Sequence, residues 1–478
     1  MTRDHTGRGL RFLAGLRRPV VAGYGRSGRA AAALLARYGV PFTVTDRRHL
    51  AEQIGADGLP SVDFMPQDEA GDCLRAADLV ILSPGIDPRR EPYAAVRRAG
   101  VPLISEVELG WRLVESPLVA VTGTNGKSTV TALIGSLLSA SGYDARICGN
   151  IGTPLCQALA DQGPRTRFVV EVSSFQLEGV QTFAPRVAVL LNITADHQDR
   201  YDDPRAYAAA KERIFARQSS SDFALFGADD AGARQAGLCL TDPDGPRPMP
   251  FGEHLGGLAR SFSDHARVED GWLTVRLGGR LHRVMPASDL PLAGPHNRRN
   301  GLAALAAALC LGADPDVLAP AVTHFRALPH RLERVAAPGR VAFVNDSKAT
   351  NVDSTRMALS SFPAGRVLVI LGGSDKGADF SRLADVLSRQ SRRVYVLGEA
   401  AARIQAALAS SLPADLPVEA VEDLPEAVRR AAAAACPGDT VLLSPACASF
   451  DAYENFTQRG DHFRALVADL FPGGRHGA

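Results

Sequence analysis

Short apolar runs rich in β-branched residues recur along the chain at 19–22, 42–46, 78–83, 119–122, 168–172, 187–193, 341–345, 367–371, 394–397 and 440–444. Between many of them lie alanine- and leucine-rich stretches whose apolar positions repeat at helical spacing, such as T-V-T-A-L-I-G-S-L-L-S-A after Ser128. Buried runs alternating with amphipathic helices predict an α/β protein with parallel sheets. Residues 219–290 break the rhythm. They are rich in Gly, Pro and Asp and predict strands with long loops, including a hairpin of Trp272–Arg276 turned by Gly278 and Gly279. A second change comes near residue 327, after which strands and helices alternate afresh. The predicted domains are 1–107 (Rossmann-like), 108–327 (a larger α/β unit of the P-loop ATPase type) and 328–478 (a second Rossmann-like fold).

Two glycine turns fall between a strand and a helix, the place where chemistry is expected. The first, G-Y-G-R-S-G from Gly23 to Gly28, is followed by a strand ending in Asp46. That pattern sets a diphosphate on a helix N-terminus, with an acidic residue at the end of the second strand. The second, V-A-V-T-G-T-N-G-K-S, runs from Val119 to Ser128. Gly123 and Gly126 free the backbone to curl, N–H groups and the helix dipole favour an anion, and Lys127 adds a point charge. Ser128 can offer a hydroxyl to a magnesium ion carried on the phosphates. The motif departs from a full Walker A pattern at Val121, where that pattern has glycine. A nucleoside-triphosphate site is the working premise.

Composition narrows the partners. With 478 residues and 46% hydrophobic positions there is material for several cores. Lys+Arg 53 against Asp+Glu 52 leaves no electrostatic footprint for nucleic acid or an anionic membrane. No run of about 18 apolar residues suggests a membrane span, and no signal-peptide pattern opens the chain. Seven cysteines without a C-x-x-C pair suggest reduced thiols in a cytoplasmic protein.

Further residues with chemical potential sit at strand ends, the ligand edge of open α/β sheets. Glu171 interrupts the buried run F-V-V-E-V, and a charge there is costly unless it is paired or bound to a metal. His197 follows the 187–193 run in T-A-D-H-Q-D. Lys211 lies among alanines in a helix and reads equally well as a solvated lysine. Asn297 can cap the alanine-rich helix after it or reach a ligand from there. In the last third, Lys348 in N-D-S-K-A-T-N and Lys376 in G-G-S-D-K-G suit an anionic substrate with more than one carboxylate.

Taken in order, T-G-T-N-G-K-S-T, E-V-S-S-F-Q-L, N-I-T-A-D-H, L-P-H-R, N-D-S-K-A-T-N and L-S-P-A-C-A-S-F-D make the chain resemble the Mur ligases across all three domains. The last two motifs favour the members that add D-glutamate. The resemblance implies ATP-dependent ligation of D-glutamate to UDP-N-acetylmuramoyl-L-alanine through an acyl phosphate, in peptidoglycan precursor synthesis by a cytoplasmic monomer. It implies that Gly123, Thr124, Asn125, Gly126, Lys127, Ser128 and Thr129 hold ATP phosphates, with Asn297, Arg331 and Asp346 facing the nucleotide. Arg26, Ser27, Arg47, Arg48, Gly85 and Asn150 would take the uridine-diphosphate substrate. Lys348, Thr350, Lys376, Ser449 and Phe456 would receive D-glutamate. Two magnesium ions are implied, the first on Ser128 and Glu171 and the second on His197, which a carbamate on Lys211 would also meet. Lys127, Glu171, His197 and Lys211 would form the catalytic set. In one departure, the acidic residue that often follows the glycine pair directly is replaced by Ser374, with Asp375 next. Three other readings stand beside this one. Folylpolyglutamate synthases share the last two domains but should lack the N-terminal G-x-G-x-x-G domain. An NAD-dependent oxidoreductase would use the first fingerprint, and a non-catalytic nucleotide-binding partner would need no chemistry.

Overall fold

The computed structural model describes residues 5–48, 54, 57–58, 62–194, 196, 200–201, 203–292, 294–326, 328–375, 377–409 and 411–471. They form two compact units. The first comprises Met1–Ile193, Asp203–Leu290 and Arg299–Phe325, and the second Thr194–Asp202, Pro291–Arg298 and Arg326–Ala478.

The first unit holds two sheets. Strands β1 (Pro19–Ala22), β2 (Thr43–Asp46), β3 (Asp63–Pro66), β4 (Leu79–Leu82) and β5 (Leu103–Ser105) form a parallel sheet in the order β3-β2-β1-β4-β5. Every residue of β1 is buried, as suits an interior parallel strand covered on both faces. At the end of β1 the chain turns on Gly23 (φ +83°) into the helix Arg26–Arg37. A Cβ on Gly28 would lie 1.9 Å from the Gly23 carbonyl oxygen, so the helix can start this close to the turn only with glycine there.

The second sheet has nine strands: β6 (Leu118–Thr122), β7 (Asp144–Gly149), β8 (Thr166–Glu171), β9 (Val187–Leu190), β10 (Phe223–Gly227), β11 (Arg247–Gly252), β12 (His265–Glu269), β13 (Trp272–Leu277) and β14 (Arg280–Pro286). Their order is β14-β13-β12-β11-β10-β9-β6-β8-β7, parallel except for the antiparallel β12-β13-β14 meander. The predicted hairpin at Gly278 and Gly279 is present. The stretch 219–290, however, is less loop-rich than its composition suggests. Its strands extend the central sheet, and it contains the helix Ala231–Leu238, whose start is capped by the Asp230 carboxylate accepting from Ala233 N–H (2.8 Å). One continuous apolar core runs from Val21 and Ile104 of the first sheet and Leu35 of the helix Arg26–Arg37 through Trp111 and Leu155 to Ala120 and Phe168 of the second sheet. That shared core joins both sheets in one unit.

The second unit is built on six strands: β15 (Glu333–Ala336), β16 (Ala342–Asn345), β17 (Val367–Gly372), β18 (Ser391–Leu397), β19 (Val418–Ala420) and β20 (Thr440–Leu443). The order is β15-β16-β20-β17-β18-β19, with only β15 antiparallel. The residues following β16, β17 and β20 therefore gather at one edge of the sheet. Among the described residues no helix is long and apolar enough to cross a membrane.

Candidate active site

The turn after β6 is shaped for an anion. Gly123 has φ +153° and Gly126 φ +86°, and the helix Lys127–Ala140 begins directly after Gly126. A Cβ on Gly126 would come within 2.6 Å of Asn300 Oδ1, and one on Gly123 within 2.9 Å of Leu191 Cβ. Asn125 is fixed from both sides by Asn192, whose Oδ1 accepts from Asn125 N–H (2.8 Å) and whose Nδ2 donates to the Asn125 carbonyl (3.0 Å). Thr124 N–H donates to the Asn192 carbonyl (3.0 Å), and its hydroxyl lies 3.3 Å from Tyr207 OH. Ser128 and Thr129 are buried in the first helical turn.

Two ammonium groups converge on this turn. Lys127 Nζ donates to the carbonyl oxygens of Gly123 (2.8 Å) and Thr124 (2.9 Å). Lys211 Nζ, from the helix Pro204–Glu212, donates to the same Gly123 carbonyl (2.9 Å) and lies 4.5 Å from the centre of the Tyr207 ring. Lys211 is 1% exposed, so it is not the solvated lysine its alanine-rich surroundings allow. Lys127 is half-buried, and two ammonium groups set around one turn give it the positive charge that suits an anion.

Glu171 ends β8 next to β6, in register with Val121, which places its carboxylate beside the turn. Its Oε1 accepts from Asn150 Nδ2 (2.6 Å), whereas Oε2 is buried without a hydrogen-bond partner among the described residues. His197 lies outside the described residues. Its neighbour Asp196 accepts from Asn351 Nδ2 (3.0 Å) within the second unit.

Near the first sheet, Arg26 Nη2 donates to the Asn150 carbonyl (3.1 Å), so two of the residues expected at the uridine nucleotide are joined. Asp46 does not face outward as a free carboxylate. Burial alone would raise its pKa, but hydrogen bonds from the Tyr24 N–H (2.8 Å) and Arg48 N–H (3.0 Å), with the Arg48 side chain beside it, hold it below the ordinary range. Arg47 and Arg48 are exposed, Ser27 is half-buried in the first turn of its helix, and Gly85 sits in an open turn.

In the second unit, Lys348 Nζ lies 3.7 Å from the centre of the Phe456 ring, bringing together two residues expected at D-glutamate. Thr350 is half-buried beside them, with its N–H donating to the Lys348 carbonyl (2.9 Å). Ser449 is buried, and its carbonyl accepts from Ala452 and Tyr453 N–H. Lys376 lies outside the described residues. Next to it, Asp375 Oδ1 accepts from Gly377 N–H (2.9 Å) and Oδ2 pairs with Arg403, so this carboxylate is held in its own turn. Asp346 likewise turns inward, accepting from Leu332 N–H (3.1 Å) and Ser444 OH (2.9 Å). Burial pushes its pKa up to about 7, against the pull of those bonds and of Arg331. Its carboxylate therefore fixes the turn that carries Arg331. Asn297, 8% exposed, also belongs to this unit.

Residues 121–308 match the Mur ligase middle domain, 330–447 the Mur ligase glutamate ligase domain, and 17–105 the MurD-like N-terminal domain of Mur ligases. A UDP-N-acetylmuramoylalanine--D-glutamate ligase of Acidobacterium capsulatum is 40% identical over 94% of this chain and 95% of its own length. Its namesake in Anaeromyxobacter dehalogenans is 42% identical over 95% of this chain and 97% of its own. The chain belongs to the Mur ligase family. Solved structures agree on the fold. A pseudomurein peptide ligase type C from Methanothermus fervidus has a TM-score of 0.59 at 19% identity, covering 95% of this chain and 100% of that one. The UDP-N-acetylmuramate-alanine ligase MurC from Thermotoga maritima has a TM-score of 0.56 at 18% identity, with the same coverage.

In this Mur ligase three further residues, not singled out by the sequence, contact the candidate site residues. Asn300, one turn after Asn297, is the side chain that reaches Gly126; the three-residue spacing was the available signal. Tyr207, four residues before Lys211, meets both Lys211 and Thr124. Arg459 is 3% exposed and donates to Ser347 Oγ and to the carbonyls of Ser347, Cys447 and Ala448. It thereby ties the loop of Lys348 to the loop of Ser449. Burial lowers its pKa to about 10. Nothing in a Q-R-G triplet marks such an arginine beforehand.

Proposed function

We propose that this chain joins D-glutamate to UDP-N-acetylmuramoyl-L-alanine at the expense of ATP, in the cytoplasmic synthesis of peptidoglycan precursors, and that it works as a monomer. The observation that carries the reading is identity of about 40% to D-glutamate ligases over nearly the whole of both chains. The local geometry supports it: a glycine cradle, the Lys127 ammonium on it with the buried Lys211 amine beside it, and a buried Glu171 oxygen without a hydrogen-bond partner among the described residues.

In this reading the terminal carboxylate of UDP-N-acetylmuramoyl-L-alanine attacks the γ-phosphorus of ATP, giving an acyl phosphate and ADP. The amine of D-glutamate then attacks the acyl carbon, loses a proton and expels inorganic phosphate. An anion must approach a polyanion, so positive charge and exact placement dominate the first step. The glycine turn of Gly123 and Gly126, the start of the helix Lys127–Ala140 and the Lys127 side chain would hold the phosphates, with Thr124, Asn125 and Thr129 shaping the cradle. Asn297 and Arg331 would face the nucleotide, with Asp346 holding the turn that carries Arg331. Arg26, Ser27, Arg47, Arg48, Gly85 and Asn150 bind the uridine diphosphate. Lys348, Thr350, Lys376, Ser449 and Phe456 hold D-glutamate by its carboxylates, leaving its amine free.

Ser128 and the partnerless Oε2 of Glu171 offer the hydroxyl and carboxylate oxygens that a magnesium ion prefers. Such an ion, with a second one held by His197, would supply charge neutralisation on the transferring phosphoryl group. Lys211 would serve that second position as a carbamate, formed when its neutral amine adds carbon dioxide and a proton departs.

Mass spectrometry of the product tests the reaction. Incubation with ATP, magnesium, the UDP substrate and D-glutamate should add one glutamyl residue to the substrate, and L-glutamate should add none. Addition of another amino acid instead would assign the chain to a different ligase step.

A further inference from the structure

Glu106 is a buried carboxyl that the reaction does not use. It opens the helix Glu106–Trp111 directly after β5 and is 1% exposed. Oε1 accepts from the Cys156 N–H (2.6 Å), and the Cys156 thiol donates to the Glu106 carbonyl (3.3 Å). Oε2 is buried without a hydrogen-bond partner among the described residues. Among those residues, Arg26, Cys148 and Cys156 are ionisable groups that act on it or feel its charge. Burial raises its pKa to about 7, against the Cys156 bonds and Arg26.

The position of this carboxyl gives it leverage. A Cβ on Gly110 would come within 2.8 Å of Leu155 Cγ and 3.2 Å of Cys156 N, so this helix lies directly on the short helix Leu155–Ala158. Both pack on the helix Arg26–Arg37, whose first residue bonds the Asn150 carbonyl. Residues 149–156 thus form a strap fastened at two ends. At one end Asn150 N–H donates to the Glu171 carbonyl (2.9 Å) and Asn150 Nδ2 to Glu171 Oε1 (2.6 Å). A Cβ on Gly149 would sit 2.3 Å from that same carbonyl, so the strap has no slack there. At the other end Glu106 receives Cys156.

We propose that Glu106 is a positioning residue for the UDP-sugar substrate: by gripping the Cys156 end of the strap, it holds Asn150 between Arg26 and Glu171. This rests on the assignment of Arg26 and Asn150 to that substrate. The residue touches no reacting atom, so its removal acts on the KM of one substrate. A glutamine keeps the Oε1 acceptor and the volume; alanine and leucine do not.

Steady-state kinetics of Glu106→Ala, Glu106→Leu, Glu106→Gln and Arg26→Ala, with each substrate varied in turn, test the proposal. In Glu106→Ala the KM for UDP-N-acetylmuramoyl-L-alanine should rise about tenfold or more. The KM values for ATP and D-glutamate and kcat should change less than about threefold. Glu106→Gln should return the first KM to within about threefold of wild type. If Glu106→Ala shows no cooperative melting transition, Glu106→Leu, which fills the space without an acceptor, carries the comparison. An unchanged KM for the UDP substrate, or an equal loss in all three KM values and kcat, would overturn the role of Glu106. If Arg26→Ala also left that KM unchanged, the substrate assignment itself would fail. A raised KM in Arg26→Ala with an unaffected Glu106→Ala and Glu106→Leu would reject the Glu106 proposal alone.

Discussion

The Gly123 carbonyl accepts from both Lys127 and Lys211, which makes the turn after β6 the point where single side chains matter most. On the proposed role of Lys127, Lys127→Ala removes a charge that would meet the transferring phosphate, and kcat/KM for ATP should fall by about 100-fold or more, measured by ADP release. Lys127→Arg should not restore it, because a planar guanidinium does not fit a site shaped for a point charge. Lys211→Ala and His197→Ala should each lose most turnover; near-normal activity in either would reject the second metal position. A short-chain carboxylic acid added to Lys211→Ala should recover part of the rate if the lysine works as a carbamate, whereas added carbon dioxide should not. Failure of that rescue would leave Lys211 in its observed role, an ammonium on the cradle. The residues legible beforehand were those whose chemistry conflicts with their neighbours, such as Glu171 inside an apolar run. Arg459, Asn300 and Tyr207 act through contacts between distant segments, and nothing beside them in the sequence announces it.

At the scale of elements, the strand–turn–helix units were readable because periodicity and glycine placement agree. The parallel strands β6, β8 and β9 stand within a few residues of the apolar runs that predicted them. Residues 219–290 misled because Gly, Pro and Asp there serve tight turns and caps within a continuing sheet, a use that composition does not separate from long loops. Gly126→Ala tests the cradle as an element. The added methyl meets Asn300 Oδ1 at 2.6 Å with φ at +86°, so stability should drop by about 1–3 kcal/mol and nucleotide affinity with it. Denaturant melts and nucleotide titration report the two effects. The helix opened by Glu106 predicts a pH effect with a definite sign. Its folded pKa, about 7, exceeds the ordinary 4.5, so the folded state holds a proton the unfolded chain releases in that interval. Stability from this group is full below pH 4.5 and is lost as pH rises to about 7. The stability of Glu106→Gln relative to wild type should therefore climb by roughly 3 kcal/mol between those limits. A flat difference in denaturant melts would show that Glu106 ionises as if exposed.

For the whole molecule, sequence patterning yielded the α/β class and three sheets, but not the core that runs unbroken from Val21 to Phe168. Sharing a core is a property of packing between segments, and each segment alone reads as self-sufficient. A chain lacking residues 1–107 should therefore uncover the helix Leu155–Ala158, which packs on the helix Arg26–Arg37, and lose its cooperative melt, visible by circular dichroism and sedimentation. Full-length protein should behave oppositely toward its substrates. A ligand at 100 times its dissociation constant adds about 2.7 kcal/mol to the folded state. The central claim, ligation driven by ATP, is tested most directly by phosphate release from ATP and magnesium with each substrate omitted in turn. Phosphate should be released only when UDP-N-acetylmuramoyl-L-alanine and D-glutamate are both present, and not with L-glutamate in place of D-glutamate. Release that is indifferent to either substrate, or no release with all of them present, would contradict it.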